Sequence, residues 1–314
     1  MASYLLRRLG LSLAILVTAV LALFSLIYVV PGDPATIALG PRATAEQKAV
    51  FRERMGLDQP LVVQAARFVT QLAQGDLGTD ILTKRPVLDL VASALPKTVI
   101  LAVVGLGWAI ILGVPLGVWS AMKPDGWTDR LIGIFSTSVI ALPSFLVAIY
   151  ALVVFAVILG WLPAIGAGEA DDPGDQVRRL ILPAFAIGVG WVGYTARLVR
   201  AAMLETLNEN HVRTYRAFGV SDLRIALRYV LPIAMVPVVA VLGVGMGSLL
   251  SGAVLVEVVF ARPGLGSLAH DAVMSRNFPV LLGTVVVTTA LYVIANLIAD
   301  VIAALLDPRI RQEA

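Results

Sequence analysis

The chain has 314 residues, of which 59% are hydrophobic and only 14% charged, and its mean hydropathy is +0.89. These proportions exclude an ordinary soluble domain and a disordered chain, and they read as a protein that crosses a membrane several times. With no cysteine there is neither a disulfide framework nor a thiolate metal site, and His211 and His270 are too few and too far apart to form a metal centre alone. The net charge of +3 arises from basic residues flanking apolar runs, a pattern of membrane topology and not of nucleic-acid binding.

A helix needs about 20 apolar residues to cross roughly 30 Å of hydrocarbon. Six runs qualify: Leu9 to Val30, Thr98 to Met122, Leu131 to Leu159, Leu180 to Leu204, Leu231 to Val256 and Val280 to Leu306. The first follows Arg7 and Arg8, but its length and the lack of a small-x-small site before Pro31 predict an uncleaved anchor over residues 1–30. Residues 31–97 form a polar insertion. Thr44 and Gln47 make a capping box that predicts a helix ending near Gly56, a second helix is expected from Pro60 to Gly75, and Pro86 opens a surface helix over VLDLVASAL before the second span.

Charge sets the orientation. The short segments on one side carry Arg7, Arg8, Lys123, Arg130, Arg197, Arg200, Arg213, Arg216, Arg224, Arg228, Arg309 and Arg311, and the short loops on the other only Arg178, Arg179, Arg262 and Arg276. The positive-inside rule therefore predicts both termini, including the tail 307–314, in the cytosol.

Between the fourth and fifth runs lies ETLNENHVRTYRAFGVSDLRIALRYVLP, Glu205 to Pro232. Inserting Glu205, Glu209, Arg213, Arg216 and Asp222 into hydrocarbon at roughly 3 kcal/mol each would cost on the order of 15 kcal/mol, so this segment lies in water. A short helix ended by Gly219, a return helix from Ser221 and membrane re-entry at Pro232 are expected. Some 28 residues is long for a bare connection, and a charged helix there suits docking of another protein. Gly188, Gly190 and Gly193 spell GxGxxG, but inside a span with no preceding strand they predict close helix packing, as do Gly113 with Gly117 and Gly243, Gly245 and Gly247.

The polar segment resembles the cytosolic coupling loop of ABC importer permeases, whose pattern is EAA, three residues, Gly, nine residues, then Ile-x-Leu-Pro. Here Gly219 is followed by nine residues and then Tyr229, Val230, Leu231 and Pro232, with Tyr229 in place of Ile and Arg213, Thr214 and Tyr215 at the EAA positions. HVRTYRAFG is similar to the YVRTARAKG-like form of the peptide and nickel branch, with His211, Tyr215 and Phe218 as substitutions. PGDPA at Pro31 to Ala35 (Pro31, Gly32, Asp33, Pro34), MGLDQPL at Met55 to Leu61, GDLGTD at Gly75 to Asp80 and RPVLDLV at Arg85 to Val91 resemble that branch's first loop. Pro143, Ser144 and Phe145, then Glu257 with RPGLGSL (Pro263, Gly264, Gly266), and DPRIR at Asp307 to Arg311 also match, so the resemblance spans nearly the whole chain.

The resemblance implies an all-α membrane protein with six transmembrane helices, a small helical extracytoplasmic insertion and a cytosolic coupling helix. The five-helix permease core is residues 98–306, with the coupling loop at 205–230. It implies a second homologous permease, two cytosolic ATPase subunits, an extracytoplasmic solute-binding protein and membrane lipids as partners, in a bacterial inner membrane. Residues implied in ATPase coupling are Glu205, Asn208, Glu209, His211, Val212, Arg213, Thr214, Tyr215, Arg216, Ala217, Phe218, Gly219, Leu231 and Pro232. None of Lys48, Lys84, Lys97 and Lys123 follows a glycine, so no P-loop is present; the chain is expected to carry no cofactor or enzyme activity, with ATP and Mg bound by the partner subunits. Short peptides are the expected cargo, with nickel, haem or glutathione-like substrates as alternatives. A secondary transporter driven by ions would want ionisable groups near mid-membrane, and Asp300 is the best this chain offers.

Overall fold

The computed structural model describes residues 34–40, 43–55, 58–169 and 171–306, with 10, 11, 14–19, 21, 22 and 25 of the first apolar run; Pro31, Gly32, Asp33 and the tail 307–314 lie outside the described residues. Among the described residues the chain is helical, and its only β feature is an isolated bridge between Thr79 and Pro86.

The insertion opens with α1 (Pro34–Leu39), α2 (Ala45–Met55) and α3 (Leu61–Ala73). The predicted capping box forms in full: Gln47 N–H donates to Thr44 Oγ1 at 3.2 Å, and Thr44 N–H donates to Gln47 Oε1 at 2.9 Å. The long helices follow: α4 (Val87–Met122), α5 (Trp127–Ala141), α6 (Ser144–Ala151) with a π-helical continuation over Leu152–Ile158, α7 (Pro173–Leu207), α8 (Asn210–Ala217), α9 (Asp222–Val259), α10 (Leu265–Met274) and α11 (Phe278–Leu306). Helices α4, α7, α9 and α11 are each long and apolar enough to span a membrane, and α5 with α6 would add a fifth crossing if the bent pair counts as one.

Two expectations are corrected. The single run from Leu131 to Leu159 is broken, α5 and α6 meeting at 98°. Pro143 has no N–H to continue the ladder and pushes Leu142 into extended backbone (φ −87°, ψ 123°), and Ser144 starts a new helix. Conversely, the surface helix expected after Pro86 is no separate element: it runs through Pro96 into the second span as α4. Its inward stripe of Val87, Val91, Ala94, Leu101 and Ala102 is buried without interruption, and that packing outweighs the roughly 3 kcal/mol cost of an interior proline.

The helices are drawn together by small residues. A Cβ at Gly117 of α4 would lie 2.6 Å from the Ala196 carbonyl oxygen of α7, and one at Gly188 of α7 would lie 2.6 Å from the Gly105 carbonyl oxygen of α4. Gly193 meets Val139 of α5, Gly243 meets Ala299 of α11, and Gly245 takes the Trp191 ring of α7 against its backbone. The glycine patterns thus do what close packing requires of them, letting backbones approach where lipid gives little drive to association. Outward faces stay apolar, as with Val103, Ile111 and Trp119 on α4 and Ile294, Ile298 and Ile302 on α11.

Gly117→Leu is expected to overpack the α4–α7 seam against backbone that cannot yield, destabilising the chain by about 1–3 kcal/mol or more. Thermal unfolding in detergent should show a lowered midpoint, whereas Gly107→Leu, at a position with no neighbour within 4 Å, should not.

Candidate coupling site

At the end of the bundle opposite the insertion, α7 carries the chain past its apolar stretch to Leu207. The helix stops there because Asn208 turns its side chain back, Nδ2 donating to the Leu204 carbonyl at 2.9 Å, while Glu209 is extended (φ −71°, ψ 154°). The polar segment from Glu205 to Gly219 is therefore not one helix: Glu205 lies in the last turn of α7, and α8 is the independent element. Its C-terminus is a full Schellman arrangement. Gly219 takes φ +75°, its N–H donates to the Arg216 carbonyl at 2.9 Å, and Val220 N–H donates to the Tyr215 carbonyl at 3.1 Å.

Helix α8 has two unlike faces. Val212 is 0% exposed and packs in a cluster with Val118 and Ala121 of α4, Val199 and Met203 of α7, and Ile225, Ala226 and Val230 of α9, with Tyr215 against its edge. Tyr215 stacks on Tyr229 with ring centroids 4.2 Å apart at 25°, and His211 meets Tyr215 edge-on at 6.1 Å. The other face is open to solvent: Glu209, Arg213, Thr214, Arg216 and Ala217 are exposed, as are Glu205 and Asn208, and Phe218 is 81% exposed. Polar contacts around this face are light: Arg216 Nε pairs with Asp222 at 2.9 Å, and His211 Nδ1 lies 3.1 Å from Glu209. Leu231 and Pro232 do not start a new helix at re-entry, because α9 is continuous from Asp222. A π-helical stretch over Ile225–Val230 widens the turn just before Pro232, where the ring would otherwise press on the Arg228 carbonyl.

This end is tied by a cluster that sequence reasoning missed. Arg200 of α7 grips Asp129 of α5 with both arms, Nε to Oδ1 and Nη2 to Oδ2 at 2.7 Å each, and the same carboxylate accepts from the Ser120 hydroxyl of α4 and from Asp125 N–H at 3.0 Å. Arg200 counted only as a topology charge in the sequence. The available signal was an acid at the start of an apolar helix, where it also suits the helix dipole.

At the opposite end, Glu257, Pro263, Gly264 and Gly266 of the signature set come together in one motif, while Pro34 opens α1. Glu257, near the end of α9 and 0% exposed, accepts from Thr98 Oγ1 of α4 at 2.6 Å and from the N–H groups of Gly266 and Ser267 at 2.8 and 3.1 Å. Thr98 Oγ1 in turn accepts from Leu265 N–H at 2.7 Å. The N-cap position of α10 is Gly264, which has no side chain to cap with, so Glu257 and Thr98 satisfy the helix's first N–H groups instead. Glycine is required there, since a Cβ on Gly264 would stand 2.1 Å from Glu257 Oε1 and one on Gly266 would stand 2.4 Å from the Val254 backbone. Pro263 follows the buried Arg262, whose backbone N–H donates to the Glu257 carbonyl at 2.8 Å.

Beside this motif, GDLGTD folds so that Asp80 is buried and accepts from Leu82 N–H, Thr83 N–H and hydroxyl, and the Asn277 side-chain amide just before α11. Burial pushes the Asp80 carboxyl up, but the bonds from Thr83, Leu82 and Asn277 outweigh it and hold it below the usual carboxylate range. A depressed carboxylate stabilises above its unfolded value of about 3.9 and loses that contribution as pH falls through the folded value. Thermal stability should therefore fall below about pH 4, and Asp80→Asn should flatten that part of the profile.

Thr98→Val, of nearly the same shape, strips partners from both Glu257 and Leu265 N–H and is expected to destabilise by about 1–3 kcal/mol. Thr98→Ser should recover most of the loss in thermal unfolding of the purified chain.

Comparison with known proteins is consistent along the whole length. Residues 113–312 match the family described as binding-protein-dependent transport system inner membrane component, and residues 1–102 match its N-terminal companion. The glutathione transport system permease protein GsiC of Salmonella paratyphi A is 38% identical over 312 residues, covering 99% of each chain, and that of Escherichia coli K12 is 36% identical over the same span. Among solved structures, the inward-facing MetNI methionine ABC transporter matches 69% of this chain and 96% of its own with a TM-score of 0.56 at 19% identity, a likeness of fold. The chain therefore belongs to the inner-membrane permease family of bacterial binding-protein-dependent ABC importers.

Proposed function

We propose that this permease, paired with a second homologous permease, forms the path for short peptides of the glutathione type, driven by two ATPase subunits, one of which docks on α8. The observation that carries the coupling half of this reading is the division of α8 into a face sunk in the helical core through Val212 and Tyr215 and a bare face of Glu209, Arg213, Thr214, Arg216, Ala217 and Phe218. A helix held on one side and open on the other passes on a push from outside as a rigid body, because packed interiors are discretely rearranged and not continuously deformed. ATP and Mg belong to the partner subunits, the α8 end and both termini face the cytosol, and the insertion faces the solute-binding protein. The cargo half is supported by the glutathione transport named for GsiC in the relatives that match over 99% of their length.

The measurement is uptake of labelled glutathione into proteoliposomes holding this chain with its partner permease, ATPases and binding protein. ATP-dependent uptake that unlabelled short peptides compete away is the expected result. Replacing residues 210–219 with a flexible Gly-Ser linker should bring uptake to background while ATP hydrolysis continues. Uptake that survives this change, or that runs on an ion gradient without ATPases, overturns the coupling reading. ATP-driven uptake of nickel or haem, with no competition by peptides, overturns the cargo reading alone.

A further inference from the structure

We propose that Tyr215 and Tyr229 are a positioning pair, and that their stacked rings set how faithfully movement of α8 is passed to α9. The inference rests on the coupling reading above and deepens it.

Helices α8 and α9 are joined in two ways. The covalent route runs through Phe218, Gly219 at φ +75°, Val220 and Ser221 in extended backbone (φ −64°, ψ 144°). Phe218, Gly219 and Ser221 are exposed, and a glycine turn of this kind absorbs rotation with little resistance. The non-covalent route includes three contacts among the described residues. The Arg216–Asp222 ion pair is between side chains 50% and 73% exposed, in water that screens it. Val212 shares one apolar cluster with Ile225, Ala226 and Val230, and apolar burial is strong but has no preferred direction and lets surfaces slide. Only the Tyr215–Tyr229 stack, at 4.2 Å and 25°, constrains both separation and angle.

The surroundings fit that role. His211 packs edge-on to Tyr215 at 81°, so Tyr215 is flanked by a ring on each side. Tyr229 projects from the π-helical stretch Ile225–Val230, and such stretches are weak points in a helix that collect at working sites. The stack thus joins α8 to the one widened turn of α9, immediately below the membrane-spanning part of that rod. In the sequence these two tyrosines occupy separate departures from the coupling-loop pattern, at the third EAA position and the Ile position, and the fold brings the two departures together.

The test uses the reconstituted transporter and reads substrate moved per ATP hydrolysed. Tyr229→Phe and Tyr215→Phe keep the rings and should leave the ratio unchanged. Tyr229→Ala and Tyr215→Ala should lower it by about fivefold or more, with ATP hydrolysis retained and the subunits still co-eluting. The double alanine variant should be no worse than either single one, because the rings act as a unit. An unchanged ratio in the alanine variants overturns the proposal, as does an equal loss in the phenylalanine variants. Parallel loss of uptake, hydrolysis and assembly also overturns it, in favour of a structural role. If the linker replacement of residues 210–219 uncouples transport while the tyrosine variants do not, this inference fails alone; if neither uncouples, the coupling reading has failed with it.

Discussion

Taking the Glu257 carboxylate entirely out of water would be prohibitive without donors to replace the water, and three are supplied from two other helices. That requirement organises the half of the molecule nearest the insertion. It fixes the register of α10 by capping its N-terminus, binds α4 through Thr98, and forces glycine at 264 and 266 where any side chain would occupy the carboxylate's space. The insertion is moored nearby through a second buried carboxylate, Asp80, bonded to Asn277 ahead of α11. Both carboxyl groups take their hydrogen bonds from N–H and O–H groups of neighbouring segments, and the buried Arg262 adds an opposite charge near Glu257.

The opposite half is organised by a different chemistry. There Asp129 is met by the two-armed guanidinium of Arg200, a geometry lysine would not reproduce, and the neighbouring junction is an apolar cluster of Val212, Val199 and Val230 edged by the Tyr215–Tyr229 stack. Between the two ends the glycine-lined seams of α4, α7 and α9 exclude slack. At the end of the bundle that carries α8, a glycine turn at Gly219 and a π-helical stretch over Ile225–Val230 lie close together in the chain.

Much of this was legible in the sequence, for identifiable reasons. Thr44 and Gln47 announced their capping box because capping is local, and Gly219 announced a helix end because few residues accept its backbone conformation. Close packing at Gly117, Gly188 and Gly243 is readable because context decides where spacing cannot: a GxGxxG inside an apolar span with no preceding strand is a seam and not a nucleotide loop. Periodicity failed at Pro143, where an apolar run long enough to span hid a break of 98°, and at Pro96, where a proline that should have ended a helix was overruled by the buried stripe beneath it. The split at Asn208 turned on one side chain capping its own helix. Thr98 with Glu257, 159 residues apart, and Asp80 with Asn277, 197 apart, were beyond any local pattern, since the partner of a buried polar group is chosen by the fold.

The continuity of α9 has a mechanical consequence. From Tyr229 to Glu257 the helix rises about 42 Å at roughly 1.5 Å per residue, with the aromatic stack near one end and the capping carboxylate near the other. Over that arm, a tilt of about 3° displaces the carboxylate by about 2 Å, while a hydrogen bond tolerates only a few tenths of an ångström. The rod thus has the geometry of a lever: a tilt of this size about the aromatic stack, with the helix moving as a rigid body, would carry the carboxylate out of hydrogen-bond reach of the α10 cap.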